Sequence, residues 1–261
     1  MTKLRRLATT GVAYVAVLGL AVTGCGNPAT TDAPAANGDA ASAAPVGATT
    51  ADPADELRAA VRRLNEQSMR IYVSSTGLRG TGLSDPKVPA MDMTMELGTA
   101  GETRVLMIGR DAYVKMGGQL GAATGGSGKW LHLDTRSLGS GGQLGLMPAD
   151  DPVGVRKMLD AVVEVRRIGP GTFVGTLDYS KSMANSKTLA DLSDKAKAVP
   201  FTATVDEQGR LKKLGVDTTV VSPLLGPMSV IYADWGTPVS VSRPPASQVV
   251  EAPTGLTGAG T

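Results

Sequence analysis

The sequence predicts an α+β fold: a curved antiparallel β-sheet, a half-barrel, with helices packed on its concave side. Three observations lead there. Met91, Met93, Met95 and Leu97 alternate with Asp92, Thr94 and Glu96, the pattern of a strand with one buried and one wet face. Further runs of this kind are separated by short glycine-containing turns, the signature of hairpins. Helical patterns fall between hairpins and do not alternate strictly with strands, which argues against a parallel βαβ sheet.

The elements follow in order. Asp52-Pro53 is a helix start, with aspartate suited to the N-cap and proline to the first helical position; Asp55 and Glu56 add acid near the positive helix end. Leu57, Val61, Leu64 and Ser68 then define one buried face of an amphipathic helix over about 53–67. From Met69 the period changes to two. Strands are expected at Met69–Ser74, 90–98, Val105–Ile108, Tyr113–Met116 and Lys129–Asp134, with Gly109–Ala112 as a hairpin turn. Residues 117–128 and 135–149 are glycine-rich loops. Asp151-Pro152 repeats the helix-start signal, and Val155, Met158, Leu159 and Val162 give a second amphipathic helix. Strands near 163–168 and 172–179 precede a third, polar helix at about 181–196. Pro200–Asp206 and Leu211–Val221 flank the tight turn Glu207-Gln208-Gly209-Arg210; Gly226–Ala233 and Pro238–Ser242 are the last strands. The expectation is roughly nine to eleven strands and three helices, without a repeat of 20–50 residues.

The N-terminus carries a different signal. Lys3, Arg5 and Arg6 precede an apolar run, Leu7–Val22, that ends in Val22-Thr23-Gly24-Cys25. This is a secretory signal, shorter than the roughly twenty residues a spanning helix needs. The sole cysteine closes it in the manner of a bacterial lipobox. That resemblance implies cleavage before Cys25, a thioether-linked diacylglycerol on its sulfur and an acylated amine, so that the protein is anchored to the extracytoplasmic face of a membrane by more than one chain. Residues 26–52 hold almost nothing apolar beyond alanine and are read as a disordered tether. Residues 53–252 form the folded domain, and 253–261 a disordered tail.

Composition excludes several classes. Without Lys3, Arg5 and Arg6 the chain carries 23 Lys+Arg against 24 Asp+Glu, so it has no basic field for nucleic acid. With Cys25 acylated, no disulfide is available. The single histidine, His132, lies in Trp130-Leu131-His132-Leu133-Asp134 and is read as a surface or rim residue; no Gly-x-Ser-x-Gly elbow accompanies it. One histidine and one cysteine leave no zinc constellation, and no cofactor is implied. Gly126-Ser127-Gly128-Lys129 departs from a phosphate loop at Ala123 and Trp130, and Ser84-Asp85-Pro86-Lys87 reads as a turn, its proline opposing the helical geometry of a Ser-x-x-Lys nucleophile.

Three features of the domain occur together in one bacterial family: a helix just beyond a low-complexity tether, a Gly-Lys-Trp-Leu-x-Leu-Asp strand (Gly128–Asp134), and the C-terminal runs Val205–Lys213, Tyr232–Val239 and Pro244–Val249. The chain resembles the LppX/LprG-type lipoproteins, which are similar in fold to LolA. The resemblance implies a half-barrel whose interior holds lipid acyl chains and a role in binding or carrying lipid or glycolipid at the envelope, with an envelope transporter as a partner. It carries no residue motif for the pocket. Alternation nominates Leu57, Val61 and Leu64 from the first helix, Met91, Met93 and Met95 from a strand, and Val155, Leu159 and Val162 from the second helix. Scarce aromatics, 3% of the chain, and flexible methionines tilt the interior towards a cavity. The competing reading is an envelope interaction or sensing module of the same fold with a filled core and no lipid ligand.

Overall fold

In a computed structural model of the chain, residues 51–123, 128–135, 155–182, 194–223 and 225–253 are described. Cys25, the expected leader and tether through residue 50, the glycine-rich stretch 136–149, the helix start expected at Asp151-Pro152, the middle of the expected third helix and the expected tail from 254 lie outside them.

Helix α1 spans Pro53–Arg62; Asp52 caps it by accepting a hydrogen bond from the Ala54 N–H at 2.8 Å. Its buried face is Leu57, Ala60 and Val61. The α-helix stops short of the expected residue 67. A 3-10 turn at Arg63–Asn65 follows, burying Leu64, and such tightening satisfies carbonyls that a helix end leaves free.

The strands that follow are β1 (Met69–Ser75), β2 (Leu78–Asp85), β3 (Ala90–Glu96), β4 (Glu102–Ile108), β5 (Asp111–Met116) and β6 (Trp130–Asp134), with the short helix α2 (Gly118–Ala123) before β6. Helix α3 (Val155–Asp160) leads to β7 (Val162–Gly169) and β8 (Thr172–Leu177); α4 (Tyr179–Ser182) precedes β9 (Val199–Val205), β10 (Leu211–Val216), β11 (Met228–Ala233) and β12 (Val249–Glu251).

The twelve strands among the described residues form one sheet in the order β12-β6-β5-β4-β3-β2-β1-β11-β10-β9-β8-β7. It consists of two meanders, β1–β6 and β7–β11, joined where β1 pairs antiparallel with β11. The sheet stays open, with β7 and β12 outermost, and β6 and β7, consecutive in sequence, stand at opposite sides of it. Helix α1 packs on β7, on β10 and against α3. One buried apolar cluster draws on Leu57 and Val61 of α1, Val155 and Met158 of α3, and inward residues from β1 through β11, including Ile71, Val105, Leu131, Phe173, Phe201 and Val230. The expected curved sheet with helices on its concave side is the observed architecture.

Several details differ from the sequence reading. Val162 does not end the second helix: α3 stops at Asp160, and Val162 opens β7. Part of the first glycine-rich loop is helical, as α2. Where a third helix is expected, the described residues hold the single turn α4 and a 3-10 turn at Lys195–Ala198. Pro238–Ser242 is not a strand; the last strand lies further on, at β12, and pairs parallel with β6. Strand β2 was not anticipated, because Gly80 and Gly82 deprive it of the side chains that mark a strand.

Those glycines have a packing reason. A Cβ on Gly80 would lie 3.3 Å from Met95 Cγ, and one on Gly82 would lie 2.5 Å from the Asp92 carbonyl oxygen and 2.8 Å from Met93 Cα. Register pairs Gly82 with Met93 and Gly80 with Met95, so β2 yields the space that the β3 thioethers fill. Gly82→Ala, which raises strand propensity on paper, is therefore expected to destabilise the protein by about 1–3 kcal/mol through overpacking. A urea midpoint equal to or above that of the parent chain would contradict the interlock.

Candidate functional site

Among the described residues, a small void lies between sheet and helices at the α1–α3 end. Ten side chains line it, all apolar: Leu57 and Val61 from α1, Val155, Met158 and Leu159 from α3, Val162 from β7, Leu177 from β8, Phe201 from β9, and Leu211 and Leu214 from β10. Its volume is about 10 Å³, room for a single water-sized sphere. With no polar partner on its walls, such a void stays dry.

Of the nominated residues, Leu57, Val61, Val155, Leu159 and Val162 line this void. Leu64, Met91 and Met93 are buried in the core away from it, and Met95 packs against that core half-buried. Met158, Leu177, Phe201, Leu211 and Leu214 were not nominated. Met158 belongs to the apolar face of the second amphipathic helix that the sequence predicts. The other four lie on strands whose alternation is visible, but only the sheet order places β8–β10 beneath α1 and α3.

Outside the void, between α1 and α3, lies an open cleft of about 530 Å³ lined by Arg58, Val61, Arg62, Asn65, Leu159 and Asp160. Val61 and Leu159 line both spaces, so they form the partition between cleft and interior.

The opposite face of the sheet carries a second arrangement. Leu106, Tyr113 and Trp130 form a small outer cluster, with Val241 and Val249 of the C-terminal segment packed on it. Beside it, His132 lies between two carboxylates: Nδ1 is 2.9 and 3.1 Å from the Glu251 oxygens, and Nε2 is 3.0 Å from Asp111 Oδ1. Asp111 also pairs with Arg243, and the Tyr113 ring lies 5.1 Å from the imidazole. A carboxylate only accepts, so both contacts are hydrogen bonds only when both ring nitrogens carry protons. Partial burial disfavours that charge, but the bonds to Asp111 and Glu251 outweigh it and raise the His132 pKa above the ordinary value. The rim placement read from the sequence agrees with this surface; the two acids come from β5 and β12, distant in sequence. Among the described residues no group of three or more His, Cys, Asp or Glu side chains is placed to hold a metal ion, and no helix is long and apolar enough to cross a membrane.

A raised folded-state pKa means that the stabilisation from His132 is complete below the unfolded value of about 6.5 and disappears as pH rises through the folded value. As the chain has one histidine, this window is uncluttered. The urea midpoint should fall between about pH 5.5 and pH 8, and His132→Gln should flatten that slope. An imidazole NMR titration with its midpoint at or below about 6.5 would refute the pairing.

No model of a known protein family matches the chain, and no curated protein matches it. Among solved structures, the crystal structure of the lipoprotein LppX of Mycobacterium tuberculosis is similar with a TM-score of 0.44 and 18% identity, over 72% of this chain and 97% of that one.

Proposed function

We propose that the protein is a lipoprotein, anchored through Cys25 at the extracytoplasmic membrane face, that binds and transports lipid or glycolipid by taking acyl chains between the sheet and helices α1 and α3. The observation that carries this reading is the wholly apolar lining of the interior void, next to an open cleft with which it shares Val61 and Leu159. Burial of an acyl chain there gains about 0.8 kcal/mol per CH₂ and needs no polar partner from the wall.

The void at about 10 Å³ is far below the roughly 300–1,000 Å³ of a ligand pocket. Loading therefore requires α3, a six-residue helix, to move away from α1. Methionines in the adjoining core, Met91 and Met93 among them, adapt their shape at low cost when the interior widens. Residues 26–52 act as the tether, and an envelope transporter is the partner that would deliver or receive the lipid.

The small void favours one other reading: an envelope interaction or sensing module of the same fold with a filled core. Native mass spectrometry of the purified chain, before and after incubation with membrane lipids, separates the two. A bound mass that is released on denaturation and fragments as acyl lipid is the expected result; an unliganded mass under both conditions selects the filled-core module. Leu159→Trp, which enlarges a half-buried side chain shared by void and cleft, is expected to lower the unfolding free energy by about 1–3 kcal/mol and abolish lipid uptake. Cleavage and acylation at Cys25 are checked by the mass of the mature N-terminal peptide.

A further inference from the structure

Arg58 and Arg62, four residues apart on α1, and Asn65 of the 3-10 turn that follows line the cleft. Arg58 has a single described partner, Asp55, one turn back at 2.9 Å, and both side chains are more than half exposed. Such a pair is worth little and exchanges readily for another anion. Arg62 is exposed and has no ion-pair or hydrogen-bond partner among the described residues. Two arginines four residues apart on one helical ridge repel each other, by some tenths of a kcal/mol in an isolated helix. Both line the same cleft as Val61 and Leu159, which also line the apolar void. A planar guanidinium above an apolar opening is suited to the carboxylate or phosphate of a molecule whose chain lies below it. Asp160 across the cleft is one acid against two cations.

We propose that this cleft is a headgroup site, in which Arg58 and Arg62 take the carboxylate or phosphate of an anionic amphiphile and Asn65 donates its amide N–H, while the acyl chain passes between Val61 and Leu159 into the interior. The proposal rests on the lipid-binding reading and adds to it a selectivity that apolar walls cannot supply. The carboxyl end of α1 already favours a cation at position 62, so stability is a poor readout and ligand selectivity is the right one.

The test measures binding of the full chain to oleate and to oleyl alcohol, which share a chain and differ in charge, for the parent protein and for the double variant Arg58→Gln, Arg62→Gln. Both side chains are exposed, so the variant is expected to keep the parent far-UV CD spectrum and urea midpoint. The parent should prefer oleate by about tenfold, and the variant should lose that preference while binding oleyl alcohol as before. Equal binding of both ligands by parent and variant overturns the headgroup site and leaves lipid binding intact. Binding of neither ligand overturns lipid binding and the site together. Inorganic phosphate separates a headgroup site from a plain anion site. Weak competition by millimolar phosphate against oleate alone supports the proposal. Phosphate binding that is as tight as oleate binding overturns the amphiphile assignment.

Discussion

The pairing of β1 with β11 is the constraint on which the remaining structure depends. Each meander assembles from neighbours in sequence, but the seam joins residues far apart: Arg70 lies opposite Ala233, Ile71 opposite Tyr232 and Val73 opposite Val230. Ile71 and Tyr232 are almost fully buried there, so a slip of one residue would turn both towards solvent. Polar contacts fix the same register at its end: Arg70 Nε donates to Asp234 across 164 positions at 2.9 Å, and the Gly236 N–H donates to the Ser68 carbonyl at 2.8 Å. Closing so long a loop costs entropy that only this burial offsets. Without the seam, neither half-sheet would place α1 over β10 and the β1 side of the core at once.

The two halves then solve the packing problem differently. On the β1–β6 side, methionines of β3 fill the room that the glycines of β2 leave, and the interior there is occupied by Met91, Met93, Met107 and Met116. On the β7–β11 side, aromatic and branched side chains, Phe173, Phe201, Leu211 and Leu214, meet two short amphipathic helices. Helices of ten and six residues cannot follow a concave sheet as closely as side chains can, and the void remains under them. The β9–β10 hairpin steadies the end of α1. Arg63 donates to the Gly209 carbonyl at 2.9 Å, in a turn held by Asp206, which accepts from the Arg210 and Gln208 N–H groups and from the Arg210 guanidinium. Burial of Asp206 works against its charge, but those bonds outweigh it and keep its pKa below the ordinary carboxylate value.

Inner and outer faces of the sheet thus carry different chemistry. Among the described residues, the inner face under α1 and α3 is lined by apolar side chains. The outer face binds the C-terminal segment of the chain to itself, by packing on Trp130 and Tyr113 and by the ionic contacts of Asp111, His132, Arg243 and Glu251. The parallel pairing of β12 with β6 covers what would be an open edge, where unpaired backbone groups invite association with other chains.

Alternation and turn chemistry alone determined most of the strands, the start of α1 and the inward direction of Leu57, Val61, Leu64, Met91 and Met93. Those are local properties, set by a period of two or 3.6 and by caps within a few residues. The lipobox-like run that ends at Cys25 is likewise a reading of linear pattern alone. Strand β2 escaped because its inward positions are glycines, whose reason for being there lies on the neighbouring strand. The parallel β12, the acids around His132 and the strand residues beneath α1 escaped because each depends on which distant segments become neighbours. The sequence states which side chains are to be buried; only the sheet order, fixed by the β1–β11 seam, decides that the void lies under α1 and α3 and that Arg58 and Arg62 line the cleft beside it.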